Sequence, residues 1–234
     1  PCIGLPGTID NDITATDYTI GYDTAMNTVV RLGDQLRDTC ESHARCNIIE
    51  VMGRNAGYIA IETGLALNAV GVALEEIPFD KNAMFEKMKK LRAEGQRSFI
   101  VVVAEGLGAE FSEGLVKEIE DATGIEARFC RPAHIVRGGI PTLRDRNLAT
   151  EMGDKAVDML LAGKSDLVIC SRHDKIVATD IKFALILDRM YKNKLKDGDL
   201  DSFTPHQLKE MEDICRERRE YFKNLYDVML TVGC

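Results

Sequence analysis

"SFIVVVAEG", residues 98–106, carries the clearest indication of the fold class in this chain. Its central run Phe99–Ala104 is apolar at every position, whereas a strand with one face in water alternates apolar and polar residues. A continuous run of this length is typical of a parallel strand that helices cover on both faces. The run ends at Glu105, so a carboxylate follows a strand that we expect to be buried.

Further strand-like runs alternate with helical patterns along the chain. The strand-like runs are residues 47–52, 70–78, 126–131 and 165–170, and the helical patterns are residues 55–68, 81–93, 112–123 and 142–161. A first helix is indicated by Ala25, Val29, Leu32 and Leu36, which recur on one helical face. This alternation predicts an α/β fold with a mainly parallel sheet, in which ligands gather at the carboxyl ends of the strands.

The last part of the chain predicts a long helix. The motif TPHQ, residues 204–207, offers a capping Thr, a Pro at the first helical position and a Gln three residues after the cap. The apolar residues that follow on one helical face are Leu208, Met211, Cys215, Phe222, Leu225 and Met229. Such a face packs either on its own domain or against another subunit, and both interpretations stay open.

The composition is that of an ordinary globular protein, and it limits the classes of partner that the protein is expected to bind. The chain has 234 residues, 45% of them hydrophobic and 29% charged, and its formal net charge is -8. It has no long run of Lys or Arg and no apolar segment of membrane-spanning length. We therefore expect neither nucleic acid nor membrane as a partner. Any phosphate ligand would need a local cluster of cations.

The cysteines indicate a reducing compartment. They show no CxxC pair and no metal-binding spacing, and they are Cys2, Cys40, Cys46, Cys130, Cys170, Cys215 and Cys234. An odd, unpatterned set is typical of reduced thiols rather than of a disulfide framework. Because we also find no signal peptide, we predict a cytoplasmic protein.

Two aspartates stand close together in LPGTIDNDI, residues 5–13. In a strand, residues i and i+2 point to the same face, so Asp10 and Asp12 at a strand end would face one crevice. Two close carboxylates raise the proton affinity of one of them, and together they also suit Mg²⁺. The alternative is a solvated turn, which the spacing alone favours.

The position of the two aspartates after an apolar stretch, with other polar residues after neighbouring strands, favours a functional site over a solvated turn. The aspartates follow an apolar stretch, Met52-Gly53-Arg54 follows a second strand, and Glu105 follows a third. A buried Glu105 needs a partner, and a sugar hydroxyl or a structural hydrogen bond would each serve. Arginine is the preferred residue for binding phosphate, and cationic residues crowd these regions as Arg45, Arg54, Arg128, Arg131, His134, Arg137, Arg144 and Arg146.

Together these motifs resemble the 6-phosphofructokinase family, in its ATP-dependent, bacterial form. PGTIDNDI, TDYTIGYDTA, EVMGR, AEG and HIVRGGIPTLRDR occur in the family's order and at similar spacing, from Pro1 to about Ala162. The resemblance implies Rossmann-like, parallel-sheet layers in two domains, the first of them incomplete. It implies transfer of the γ-phosphoryl group of ATP, with Mg²⁺, to O1 of fructose 6-phosphate, which gives fructose 1,6-bisphosphate in glycolysis.

The resemblance also implies a role for each motif residue. Asp10 would be the general base on the sugar hydroxyl, and Asp12 would support it and the magnesium region. Thr8 would contact the transferring phosphoryl group, and Arg54 would stabilise its charge. The residues that would bind the sugar phosphate are Ile9, Arg45, Met52, Gly53, Glu105, Arg128, His134 and Arg137. Two of these, Arg45 and Arg128, would reach in from a neighbouring subunit, which implies a homo-oligomer, commonly a tetramer.

Gly7 bears on the phosphoryl donor. Relatives that use pyrophosphate carry Lys at this position, where it would fill the space of the nucleotide's α-phosphate, so Gly7 favours ATP. The resemblance places the Gly-rich nucleotide loop and the main magnesium ligand before Pro1. We therefore expect a longer gene product and no phosphorylation by this segment alone.

The resemblance implies a division of the chain and leaves two alternatives. Residues 1–20 would be a remnant of the nucleotide-binding domain with the catalytic base, 21–133 mainly the substrate-binding α/β domain, 134–175 a segment returning toward the first domain, and 176–234 a C-terminal helical extension. The alternatives are a pyrophosphate-dependent phosphofructokinase and a non-catalytic paralogue that binds sugar phosphate. The set of Asp10, Arg54 and Glu105 argues against the paralogue, because a binding-only subunit does not need a base.

Overall fold

A computed structural model of the chain describes residues 1–232. The strands are β1 (Ile3–Gly4), β2 (Cys46–Val51), β3 (Gly71–Ala73), β4 (Phe99–Ala104), β5 (Ala127–Cys130), β6 (Leu167–Arg172) and β7 (Lys175–Asp180). The helices are α1 (Tyr22–His43), α2 (Tyr58–Ala66), α3 (Lys81–Ala93), α4 (Ala109–Thr123), α5 (Leu143–Leu161), α6 (Ile181–Tyr191) and α7 (Pro205–Val232). Short 3-10 turns occupy Glu105–Leu107 and Ala133–Arg137.

The chain forms two compact units. Unit 1 comprises Pro1–Tyr22 and Pro141–Lys223, and unit 2 comprises Asp23–Ile140 and the residues from Asn224 onward. Each unit contains a β-sheet with its own hydrophobic cluster.

Unit 2 is built on a parallel sheet of strand order β3-β4-β2-β5. Every residue of β4 is buried, as the continuous apolar run predicts. Phe99, Val101 and Val103 pack in a cluster with apolar residues of α3 and α4. The alternate residues Ile100 and Val102 point to the other face of the sheet and are equally buried, and α2 contacts β4. The α/β class predicted from the sequence is confirmed.

The register of unit 2 fixes where its functional loops lie. Val51 pairs with Ala104, so β2 and β4 end level with each other. The residues that follow these two strands therefore lie at one edge of the sheet. Ile49 pairs with Cys130, so β5 ends at the same edge.

Unit 1 contains a sheet of order β1-β6-β7, in which β1 is parallel to β6 and β7 is antiparallel to it. Ile169 packs with Leu148, Met152 and Ala156 of α5, whereas its neighbour Cys170 packs with α6 and α7. Because adjacent strand residues point to opposite faces, α5 covers one face of this sheet and α6 with α7 covers the other.

The face predicted for the terminal helix packs within its own chain. Met211, Ile214 and Cys215 join the cluster that also holds Phe183 and Leu187 of α6. Of the two interpretations left open by the sequence, packing on its own domain therefore applies to this part of the helix.

The C-terminal region is not helical throughout, and here the prediction for residues 176–234 is wrong in its first part. Lys175–Asp180 forms β7, which pairs with β6 through a two-residue turn at His173 and Asp174. Both turn residues have left-handed φ values, 49° and 58°. The sequence gives no clear signal for this hairpin, because such a turn normally carries Asn or Gly and this one carries His and Asp.

Two smaller boundaries also differ from the sequence-based prediction. β3 covers only Gly71–Ala73 of the predicted run 70–78, and α2 begins at Tyr58 rather than at residue 55. Gly57 precedes α2, whereas β3 ends before the apolar Leu74, and boundaries of this kind are the least certain part of a sequence-based prediction.

Candidate active site

The segment with the two aspartates is a bent loop of unit 1. Asp10 is buried, with 8% of its surface exposed, and its backbone N–H donates to Thr8 Oγ1 at 3.2 Å. Asn11, between the aspartates, has a left-handed φ of 51°. The expectation that Asp10 and Asp12 share the face of a strand is therefore wrong, because the chain turns at the residue that separates them.

This loop is closed by hydrogen bonds around Asn11 and Thr19. Asn11 Nδ2 donates to the Asp17 carbonyl at 3.0 Å, and Asn11 Oδ1 accepts from the Thr19 N–H at 3.0 Å. Thr19 Oγ1 donates to the Thr8 carbonyl at 2.6 Å. These bonds fix the backbone on both sides of Asp10, so the carboxylate is carried by an ordered segment.

Asp12 is paired with a lysine. Lys192 Nζ lies 3.4 Å from Asp12 Oδ2 and 2.9 Å from Asp188 Oδ2. Partial burial by itself lowers the pKa of Lys192, but its hydrogen bond to Asp188 and the two carboxylate charges outweigh that effect and raise it. The amine therefore stays charged and neutralises part of the charge of Asp12.

The residues described in the structure fit a magnesium ion only in part. No group of three or more His, Cys, Asp or Glu side chains among them comes close enough to hold a metal ion. Asp12 offers carboxylate oxygens of the kind that Mg²⁺ prefers, but Lys192 already neighbours one of them. The described residues would supply at most a share of such a site.

In unit 2 the loop after β2 is held by the residue after β4. Glu105 Oε1 accepts hydrogen bonds from the N–H of Gly53 at 3.1 Å and from the N–H of Arg54 at 2.8 Å. Gly53 has a φ of 150°, and a Cβ added there would lie 2.4 Å from the Ala56 carbonyl oxygen. Glu105 thus binds the tight loop that presents Arg54, so the structural hydrogen bond left open by the sequence is present.

A cavity of about 370 Å³ opens at this edge of the sheet. It is lined by Glu50, Val51, Met52, Glu105, Ala109, Arg131, Ala133 and His134. Three of the residues predicted to bind the sugar, Met52, Glu105 and His134, therefore meet at one cavity. Gly53 and Arg54 are tied to it through Glu105.

The cavity also contains an ion pair that the sequence interpretation did not include. The side chain of Glu50 is 6% exposed, and both its oxygens accept from Arg131, the second from Nη2 at 3.2 Å. Hydrogen bonding to Glu50 raises the pKa of Arg131, so its charge is secure. A glutamate inside the fully buried strand CNIIEV was the available signal, since such a charge needs a partner.

His134 and Arg137 come from the 3-10 turn that follows β5. Ala133, at the start of this turn, has a left-handed φ of 49°. His134 is exposed and lines the cavity, whereas Arg137 ends the turn, is exposed and is not among the lining residues. The structure of unit 2 therefore joins His134, but not Arg137, to the other sugar-binding candidates.

Arg45 and Arg128 lie at the opposite edge of the same sheet. Arg45 precedes β2, and Arg128 pairs with Asn47 near the start of that strand. Both arginines form ion pairs with Glu126, that of Arg45 at 3.9 Å. β2 has six residues and spans about 20 Å, so within one chain these side chains are far from the cavity.

The two remaining candidate residues, Ile9 and Gly7, lie in unit 1. Ile9 is half-buried, and its side chain lies 3.7 Å from where a Cβ on Gly21 would stand. Gly7 is exposed, forms an isolated bridge with Ile20, and has open space where a Cβ would be added. Neither residue contributes to the cavity of unit 2.

Comparison with known proteins identifies the family. A family model described as phosphofructokinase matches residues 1–160, which include every candidate residue above except those of α6. The chain belongs to the phosphofructokinase family. ATP-dependent 6-phosphofructokinase 1 of Clostridium perfringens is 49% identical over 82% of this chain and 60% of its own length. The chain thus spans about 60% of the length of the curated relatives that it matches.

Solved phosphofructokinases share the fold. Phosphofructokinase from Saccharomyces cerevisiae superposes with a TM-score of 0.75 at 32% identity, over 82% of this chain and 27% of that one. A pyrophosphate-dependent phosphofructokinase from Marinobacter aquaeolei superposes with a TM-score of 0.68 at 27% identity, over 77% of this chain and 51% of that one. The phosphofructokinase-like fold predicted from the sequence is confirmed.

Two further expectations concern membrane-spanning helices and the redox state of the cysteines. Within residues 1–232 no helix combines the length and apolar character needed to cross a membrane. Cys2, Cys40, Cys46, Cys130, Cys170 and Cys215 are free thiols, and Cys234 lies outside the described residues. Burial raises the pKa of Cys170 to about 11, so this thiol stays protonated at neutral pH.

Proposed function

We propose that the protein to which this chain belongs transfers the γ-phosphoryl group of ATP to O1 of fructose 6-phosphate. The observation that carries the proposal is the clasp at the cavity of unit 2, where Glu105 holds the Gly53-Arg54 loop beside Met52 and His134. A phosphoryl-transfer site needs a positioned cation for the transferring group next to a sugar-binding surface, and the backbone of Arg54, held beside this cavity, supports that assignment.

Asp10 is the proposed general base. Asp10 is buried in an ordered loop, so its carboxylate is held in one place, and a positioned carboxylate can serve as a general base. It takes the proton from the O1 hydroxyl as that oxygen attacks the γ-phosphorus, and the bond from the γ-phosphorus to the bridging oxygen of the nucleotide breaks, so that ADP leaves. Thr8, whose Oγ1 accepts from the Asp10 N–H, contacts the transferring group in this scheme.

Arg54 and the cavity residues complete the proposed scheme. The guanidinium of Arg54 stabilises the charge on the transferring phosphoryl group. Met52, Gly53, Glu105 and His134 bind the sugar, while Ile9 and Arg137 contribute from outside the cavity. Mg²⁺, when bound, neutralises charge on the nucleotide phosphates, and Asp12 would provide part of its site.

ATP is the proposed donor, with pyrophosphate as the second candidate. The curated relatives are named ATP-dependent, and one solved neighbour is named pyrophosphate-dependent. Gly7 favours ATP because a larger residue would occupy space next to the phosphates of a nucleotide. We propose this activity for the whole protein and not for the segment alone. Turnover by the purified 234-residue chain would contradict that restriction.

We also propose a homo-oligomer, a tetramer by family resemblance, in the cytoplasm. Arg45 and Arg128 lie together at the edge of the sheet remote from the cavity of their own chain. This position suits the proposal that they bind the sugar phosphate of a neighbouring subunit. A whole protein that sediments as an active monomer would contradict the assignment. The free thiols of the described residues suit a reducing compartment.

The test is the substitution Asp10→Asn in the whole protein, because Asn keeps the size of the side chain but cannot accept the proton. We expect turnover to fall by about a hundredfold or more, with the Michaelis constant for the sugar changed much less. The matched control is Asp121→Asn, which changes an exposed aspartate of α4. Near-normal turnover in Asp10→Asn would show that the base has been assigned to the wrong residue.

A further inference from the structure

The terminal helix α7 places a buried arginine against the loop that carries the proposed base. Arg218 has 9% of its surface exposed. Its Nη1 donates to the carbonyl of Thr16 at 2.5 Å, and its Nη2 donates to the carbonyl of Asn11 at 2.7 Å. Asn11 follows Asp10 directly, so one side chain of α7 is bonded to the backbone next to the catalytic carboxylate.

Burial of this guanidinium indicates a specific role. A buried arginine is costly unless its donors are satisfied, and here two of them are satisfied by backbone carbonyls of one loop. Those carbonyls would in turn lack these charge-assisted donors if Arg218 were removed. One of them belongs to Asn11, whose φ of 51° is a conformation that needs support from its surroundings.

A second contact from the C-terminal region reaches the same loop. Asp188 of α6 accepts from the Thr14 N–H at 3.3 Å and from Thr14 Oγ1 at 2.8 Å. Asp188 also pairs with Lys192, which in turn reaches Asp12. Residues 11–16 are therefore held from two helices that lie beyond the part of the chain matched by the family model.

We propose that Arg218 is a positioning residue for the phosphoryl transfer: it fixes the backbone of residues 11–16 and thereby the place of the Asp10 carboxylate. The inference rests on the proposed function for its catalytic consequence, but its structural part does not. Packing of α7 does not depend on Arg218 alone, since Met211, Ile214 and Cys215 anchor the helix in an apolar cluster. The C-terminal region is thus part of the catalytic support.

The kinetic test compares variants of the whole protein. Arg218→Met keeps an unbranched apolar stem and removes the donors, and we expect turnover to fall by about tenfold to a hundredfold with little change in the Michaelis constant for the sugar. Arg218→Lys retains a single cationic centre and should lie between this variant and the parent. The matched control is Arg216→Met on the same helix, whose pairs with Asp213 and Glu220 are internal to α7.

The structural test is amide hydrogen exchange on the same proteins. In Arg218→Met we expect faster exchange in residues 11–19, and unchanged exchange in β2 and β4. Unchanged exchange in residues 11–19, or a loss confined to sugar affinity, would overturn the inference. If Arg218→Met does not fold, Arg218→Lys decides, because parental turnover and loop exchange in that variant would overturn it. An inactive parent protein would contradict the proposed function, while the exchange result would still judge Arg218.

Discussion

At the scale of single residues, Glu105 has two structural roles, and its position in the sequence does not distinguish between them. It lines the cavity proposed to bind the sugar, and its Oε1 accepts hydrogen bonds from the N–H groups of Gly53 and Arg54. A residue that only bound sugar would affect the Michaelis constant, whereas one that also places Arg54 would affect turnover. The two roles can be distinguished by replacing the carboxylate with groups that keep or remove the acceptor.

We predict that Glu105→Ala lowers turnover far more than Glu105→Gln. Gln keeps an oxygen that can accept from Gly53 and Arg54, whereas Ala removes it and frees the loop. About a hundredfold loss for Ala and about tenfold or less for Gln are expected from steady-state kinetics of the whole protein. Glu110→Ala, an exposed change in the first turn of α4, is the control. Equal turnover in both Glu105 variants would refute the proposal that Glu105 positions the Gly53-Arg54 loop.

Ala133 carries local backbone strain next to His134, which is proposed to bind the sugar. Its φ of 49° is a conformation that costs a residue with a Cβ about 1–2 kcal/mol. The strain precedes His134 directly, which is where functional sites often store it.

We therefore predict that Ala133→Gly raises the free energy of unfolding by up to about 1 kcal/mol, after allowing for the greater freedom of Gly in the unfolded chain. Urea denaturation measures this change. Ala127→Gly, at a buried position of β5 with no positive φ, should have the opposite sign. A destabilised Ala133→Gly protein would mean that the left-handed conformation is not strained.

At the scale of elements, the β6-β7 hairpin has a turn formed by residues that are unusual in such turns. Arg172 pairs with Lys175 across a turn formed by His173 and Asp174, both left-handed. The backbone N–H of His173 donates to Asp17 Oδ2 at 2.7 Å, and this bond does not depend on the side chain at 173.

We predict that the double change His173→Asn with Asp174→Gly stabilises the protein by about 1 kcal/mol. Asn-Gly is the preferred sequence for a two-residue turn with two positive φ values. The lost contact of His173 with Glu217 is exposed and contributes little. Ala at both positions should instead destabilise the protein in the same denaturation assay. A double Asn-Gly variant that is less stable than the parent would contradict the turn assignment.

The sequence predicted the elements whose patterns are strong. The run Phe99–Ala104 became the buried strand β4, and the helical pattern at Lys81–Ala93 became α3 with the same bounds. It did not predict β7, whose burial is mixed and whose turn lacks Gly and Asn. Periodicity reports one buried face, and a strand that is half exposed on both faces gives little of that signal.

The candidate site was predictable where motifs follow strands, and less so where contacts are long-range. Met52, Glu105 and His134 meet at one cavity because β2, β4 and β5 end at the same edge. Glu50 with Arg131, and Arg218 with the Asn11 loop, join residues 81 and 207 positions apart. Pairings of this kind depend on the folded chain and leave no local pattern in the sequence.

At the scale of the whole molecule, each unit contributes a different part of the proposed chemistry. Unit 1 carries Asp10 in a loop that α6 and α7 hold, and unit 2 carries the cavity with the Arg54 loop. The chain spans about 60% of the length of its curated relatives, so donor and acceptor chemistry have to be measured on the whole protein. Gly7 makes the donor testable, because a Cβ added there meets nothing within 4 Å and a variant should fold.

A coupled assay for fructose 1,6-bisphosphate tests the proposed phosphoryl transfer on the whole protein, with fructose 6-phosphate and Mg²⁺ and with ATP or pyrophosphate in parallel. We predict product with ATP and little with pyrophosphate, and a loss of about tenfold or more with ATP in Gly7→Lys. Product with pyrophosphate alone would contradict the assigned donor. Absence of product with either donor, from a protein that is folded and of its native oligomeric state, would contradict the proposed function itself.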